Sequence, residues 1–158
     1  MSSLGVFLKA NEAKEENLKI VVSKRYSTPL LDEKGKPILD EEGNPKVEHA
    51  VWEFRKLTSK ENKQIRQSCF KEVRTGKRGQ QKERELDTEL YLSKMITTSC
   101  VFPNLYAKEL WEDRGVMSPE DLLESLLTAG EYDNLAIRIK DFQGYDEPIE
   151  EKKEEAKN

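Results

Sequence analysis

With 158 residues, the chain has the length of one domain, or of one domain and a tail. Its apolar fraction of 35% and charged fraction of 37% leave either a thin core or a substantial solvated portion. A net charge of -4 and a pI near 5.3 argue against wholesale nucleic-acid binding. No apolar run approaches the roughly 20 residues that cross a bilayer, and no charged-then-apolar leader opens the chain. A soluble protein with no membrane partner is expected.

The front reads as β-rich over residues 1–57. Residues 18–26 are dense in β-branched side chains and predict a strand. Residues 51–57 alternate Trp52 and Phe54 with Glu53 and Arg55, the pattern of a half-buried strand with its aromatics inward. Between them lies a doubled motif, Leu31-Asp32-Glu33-Lys34-Gly35-Lys36-Pro37 and Leu39-Asp40-Glu41-Glu42-Gly43-Asn44-Pro45. In each copy Asp favours turn entry and Gly supplies positive φ, so each predicts a hairpin turn. The prolines predict short or edge strands.

Residues 58–146 read as about five helices. Thr58 and Glu61 have capping-box spacing, and Ile65, Cys69 and Val73 form one stripe, predicting a helix over 59–73. Gly76 and Gly79 then open a solvated basic loop. A central helix is predicted over 85–101, ended by Pro103. A third starts at Asn104 and stops at Gly115. A fourth is capped by Ser118, with Pro119 at its first position and Leu122, Leu123, Leu126 and Leu127 inward. A fifth is opened by Thr128 and Glu131, carries the stripe Tyr132, Leu135, Ile139 and Phe142, and ends at Gly144. The fold class is therefore α+β, a single domain over 1–146, with a charged tail over 147–158 expected to be disordered.

Charge is unevenly spread. Residues 32–48 carry six acids and three bases, whereas residues 71–84 carry six bases (Lys71, Arg74, Lys77, Arg78, Lys82, Arg84) and two acids. The two segments could attract each other between copies, so homo-oligomerisation stays open.

Catalytic chemistry is missing from the pattern. His49 is the one histidine and has no second ligand or nucleophile at a readable spacing. Cys69 and Cys100 are too far apart for a zinc site and sit in apolar contexts, where a thiol stays inert. Gly76-Lys77-Arg78-Gly79 lacks the spacing of a phosphate loop. No enzyme, cofactor or metal is expected. The basic residues of 71–84, Arg74, Lys77, Arg78, Lys82 and Arg84 among them, are the electrostatic candidates. No aromatics interleave with them, so a solvated loop is preferred over a nucleic-acid contact.

Three runs then carry a likeness. The first is Trp52-Glu53-Phe54-Arg55-Lys56-Leu57 with Glu61-Asn62-Lys63-Gln64-Ile65-Arg66 and Cys69. The second is Gly76-Lys77-Arg78-Gly79-Gln80 with Tyr91-Leu92-Ser93-Lys94. The third runs from Cys100-Val101-Phe102-Pro103-Asn104-Leu105 through Lys108-Glu109-Leu110 and Gly115-Val116-Met117 to Leu126-Leu127-Thr128-Ala129-Gly130-Glu131-Tyr132. Together with Phe7-Leu8-Lys9 and Val22-Ser23-Lys24-Arg25, they resemble the XkdN-like tail assembly chaperones of myovirus-type phages and of defective prophages of Gram-positive bacteria. The resemblance spans roughly residues 4–146. It implies a chaperone in the host cytoplasm, absent from the finished virion, that binds the tape-measure protein before the tail tube polymerises. Other tail proteins are further partners it allows. It transfers no active-site residue.

A helical client calls for an apolar patch or groove. Leu105, Tyr106, Trp111 and Tyr132, near helix ends, are the candidates; the competing reading makes all four plain core. The alternative functions are a nucleic-acid-binding regulator acting through residues 71–84 and a structural tail connector.

Overall fold

The computed structural model describes residues 3–145, so the tail expected to be disordered lies outside the described residues. The strands are β1 (Leu18–Ile20), β2 (Ser27–Pro29), β3 (Val47–His49), β4 (Trp52–Phe54), β5 (Phe70–Thr75), β6 (Gln81–Leu86) and β7 (Cys100–Phe102). The helices are α1 (Ser59–Gln67), α2 (Thr88–Ser99), α3 (Lys108–Arg114), α4 (Pro119–Leu126) and α5 (Ala129–Phe142). The class is α+β, as the sequence indicates. The strands form three small antiparallel units, β1-β4-β7, β2-β3 and β5-β6.

The core forms where α2, α4 and α5 close over the middle strand of the first sheet. Trp52 and Phe54 on β4 point inward and stack with ring centroids 6.3 Å apart. They join Met95, Ile96, Leu105, Leu122, Leu123, Leu126, Leu135 and Ile139 in one buried cluster. Each such side chain contributes roughly 1.5–3 kcal/mol through its removal from water. Ile65 and Cys69 are buried as well.

Local signals place most helix starts. Thr58 with Glu61, and Thr128 with Glu131, form reciprocal capping boxes at α1 and α5. Ser118 accepts the amide of Asp121 at 3.1 Å to start α4, with Pro119 at its first position. Gly115 terminates α3 in the left-handed conformation. The end of α4 is closed by distant groups. Arg114 donates to the Ser125 carbonyl at 2.8 Å, and Arg25 and Tyr26 both donate to the Leu126 carbonyl, at 2.9 and 2.5 Å. These donors satisfy carbonyls that a helix terminus leaves orphaned.

Several expectations are corrected. The strand expected over residues 18–26 is shorter: β1 ends at Ile20, and Ser27–Pro29 joins a separate ladder. The first helix stops at Gln67 rather than 73, and the basic segment is a β-hairpin rather than an irregular loop. Ile65 on α1 and Cys69 in the turn that follows it are both buried, but Val73 pairs across a ladder with Glu83. Six residue pairs from Phe70↔Leu86 to Thr75↔Gln81 form that ladder, and two of them, Lys71↔Glu85 and Glu72↔Arg84, set opposite charges across it. The central helix spans Thr88–Ser99 and is capped by Asp87. Cys100–Phe102 leaves it as an edge strand on β4, so part of the sheet comes from the half expected to be helical. Asn104 does not cap α3. Its Oδ1 accepts the Tyr106 amide at 3.0 Å, which builds a turn before a helix whose N-cap is Ala107.

The doubled motif forms an exposed arm beyond β2 and β3. Asp32 Oδ1 accepts the amides of Lys34 and Lys36, both at 2.9 Å, and Asp40 Oδ1 those of Glu42 and Asn44 at 2.9 and 2.8 Å. Gly35 and Gly43 lie at φ +77° and +84°, where a Cβ would be strained. The two turns are locked by a cycle of backbone bonds, Leu30 to Lys46, Lys46 to Ile38 and Ile38 to Leu30, at 2.9, 2.7 and 2.9 Å.

Candidate partner-binding surfaces

The four aromatic and aliphatic candidates separate. Leu105 is 1% exposed and belongs to the core. Trp111 is half-buried, and its indole Nε1 donates to the Leu105 carbonyl at 2.8 Å, so it braces the β7–α3 turn. Tyr106 is 55% exposed. It shares a short stretch of chain with Val101 and Phe102, also exposed, the latter two on the outer edge strand β7. This shoulder offers both apolar side chains and an edge to a partner.

Tyr132 lies elsewhere. It is half-buried, its hydroxyl shares a 2.6 Å hydrogen bond with Ser93 Oγ, and burial pushes its phenol above the usual range. It forms part of the floor of an open groove of about 460 Å³ between α2, α4 and α5. Leu90, Leu92 and Ser93 line the groove beside it, and Asp87, Glu89, Glu120, Asp121, Glu124 and Asp133 supply the remaining walls. Several of these acids serve helix N-termini, as Asp87 does by accepting the Leu90 amide at 3.2 Å. Glu124 and Asp133 are exposed and cap nothing.

The basic candidates sit together on the β5–β6 hairpin. Lys82 pairs with Glu72 at 3.8 Å, and Arg84 lies over the Phe70 ring at 5.1 Å. Arg74, Lys77 and Arg78 are exposed and make no ion pair among the described residues. Arg78, at the tip, holds φ 62°, the strained left-handed region for a residue with a Cβ.

Sequence reasoning gave no surface role to residues 3–8, where Ser3–Phe7 forms a 3-10 turn and Val6, Phe7 and Leu8 are exposed, Phe7 at 86%. The signal was an apolar run with neither helical nor strand period.

Cys69 is buried and Cys100 half-buried. Burial pushes the Cys100 thiol up to about 12, while its Sγ donates to the Pro103 carbonyl at 3.4 Å. His49 lies on β3, and its Nδ1 is buried without a hydrogen-bond partner. Among the described residues no three His, Cys, Asp or Glu side chains converge to hold a metal, and no helix is long and apolar enough to cross a membrane.

Exposed edges, projecting hairpins and an open groove around a capped helical core define a protein equipped to work by contact. The chain belongs to the phage XkdN-like tail assembly chaperone proteins, whose family model matches residues 4–157. It is 25% identical over 156 residues to the phage-like element PBSX protein XkdN of Bacillus subtilis (strain 168), across 98% of this chain and 93% of that protein. It is 30% identical over 82 residues to the uncharacterized protein YqbN of the same strain, a match covering 51% of this chain and about half, 55%, of that relative. A crystal structure of the protein YqbN shares the fold at a TM-score of 0.64, with 21% identity, over 92% of this chain and 99% of that one.

Proposed function

We propose that this chain binds the tape-measure protein of its own phage tail and keeps it soluble in the host cytoplasm until the tail tube polymerises. It acts by binding, without catalysis, and leaves before the particle is finished. The exposed apolar shoulder of Val101, Phe102 and Tyr106 carries this reading. Side chains of this kind, beside a sheet edge, suit a long amphipathic client that would otherwise aggregate. Leu105 and Trp111 hold the shoulder in place from behind, and Tyr132 lies apart from it, in the groove between α2, α4 and α5.

Co-expression tests the proposal. The tape-measure protein should become more soluble with the wild-type chain, and less so with a Phe102→Ser/Tyr106→Ala variant. No complex and no solubility gain would overturn it. Mass spectrometry of purified particles tests the transient role, since a structural tail connector would be retained.

A further inference from the structure

The molecule carries two surfaces of opposite charge that cannot meet within one copy. The first is the groove between α2, α4 and α5, which has acids on its walls, no basic residue in its lining, and an apolar floor at Leu90 and Tyr132. The second is the tip of the β5–β6 hairpin, where Lys77 and Arg78 stand exposed and Arg78 holds a left-handed backbone.

Strands of six residues put that tip roughly 20 Å from the base of the ribbon. The base runs straight into α2 through Asp87, itself a wall of the groove. For the tip to enter its own groove, the ribbon would have to double back on itself.

We propose that the hairpin tip of one copy docks in the α2–α4–α5 groove of a second copy. Lys77 and Arg78 then face Glu124 and Asp133, and the glycine-flanked turn packs over the floor. The two patches differ, so each copy offers one tip and one groove, and two copies exchanging tips already satisfy both. The acidic arm is the weaker acceptor. Its Asp32 and Asp40 are occupied by backbone amides, and Lys34, Lys36 and Lys46 lie among its acids. The inference is independent of the client's identity.

Sedimentation of the full chain across a concentration series tests it. At low salt the average mass should at least double with concentration. The increase should vanish at roughly 0.5 M salt, where screening acts within about 4 Å. Lys77→Glu/Arg78→Asn should be monomeric, with asparagine tolerating the left-handed backbone. Glu124→Lys/Asp133→Lys should be monomeric too, and mixing the two variants should restore association, because each retains the half the other lacks. Glu41→Lys/Glu42→Lys in the arm should associate as wild type does. Circular dichroism checks folding, and the tip variant alone decides the matter if the groove variant unfolds. A wild type that stays monomeric at low salt, or a tip variant that still associates, overturns the proposal.

Discussion

The side chain of Gln143, just past the end of α5, binds the chain on both sides of Lys56. Its Oε1 accepts the Leu57 amide at 3.0 Å, and its Nε2 donates to the Arg55 carbonyl at 3.0 Å. One carboxamide thus ties the exit of β4, and so the approach to α1, to the last helix. Gln143→Ala leaves two half-buried backbone groups unpaired and should cost about 1–3 kcal/mol. Gln143→Glu keeps the acceptor but loses the donor to Arg55, and it should also destabilise. Chemical denaturation measures both.

Two carboxylates couple stability to acid. Hydrogen bonding to Arg55 holds Glu61 at about 2, and hydrogen bonding to Arg25 holds Glu131 at about 2, both below their ordinary 4.5. The unfolded chain therefore takes up these protons at higher pH than the native one, and the stability they contribute is present above pH 4.5 and lost as pH falls toward 2. Melting temperature should drop across that window. Glu61→Gln/Glu131→Gln should start lower and fall less steeply through it.

The helix starts are individually testable. Ser118→Ala removes the acceptor for the Asp121 amide, and Thr128→Ala removes the one for Glu131, so each should cost about 1 kcal/mol. Thr128→Ser keeps the oxygen and should be near neutral. Equal losses for Thr128→Ala and Thr128→Ser would count against the capping account.

Leu105 and Tyr106 are neighbours with opposite expected phenotypes. Leu105→Ala opens a cavity in the core and should cost about 2–5 kcal/mol. Tyr106→Ala should stay within about 0.5 kcal/mol of wild type, and its effect should instead appear in solubility assays with the client.

The thiols should be silent in the folded protein. With Cys100 near 12, on the order of one molecule in ten thousand carries the thiolate at pH 8. Cys69 is shielded outright by burial. Iodoacetamide should label both quickly only after denaturation, and rapid native labelling of either would contradict the burial described.

The elements legible in the sequence were those whose determining bonds close within a few residues. Thr58, Ser118 and Thr128 each meet their partner three positions on, and Asp32 and Asp40 meet theirs within four. The alternation of Trp52 and Phe54 needs only the pleat of a strand to aim both rings inward.

Tertiary structure decided whatever depends on a partner far along the chain. Ile65, Cys69 and Val73 recur every four residues, a spacing compatible with helix or strand until residues 81–86 offer Val73 a ladder. Cys100–Phe102 became a strand because β4 presented an edge to it, and Leu105 became core by joining side chains of β4, α2, α4 and α5 in one buried cluster. The groove is built from three helices, and four of its acids, Asp87, Glu89, Glu120 and Asp121, look one helix at a time like ordinary N-terminal charge. Local hydrogen bonds are encoded where they form, whereas burial and charge clustering arise only when distant segments exclude water between them.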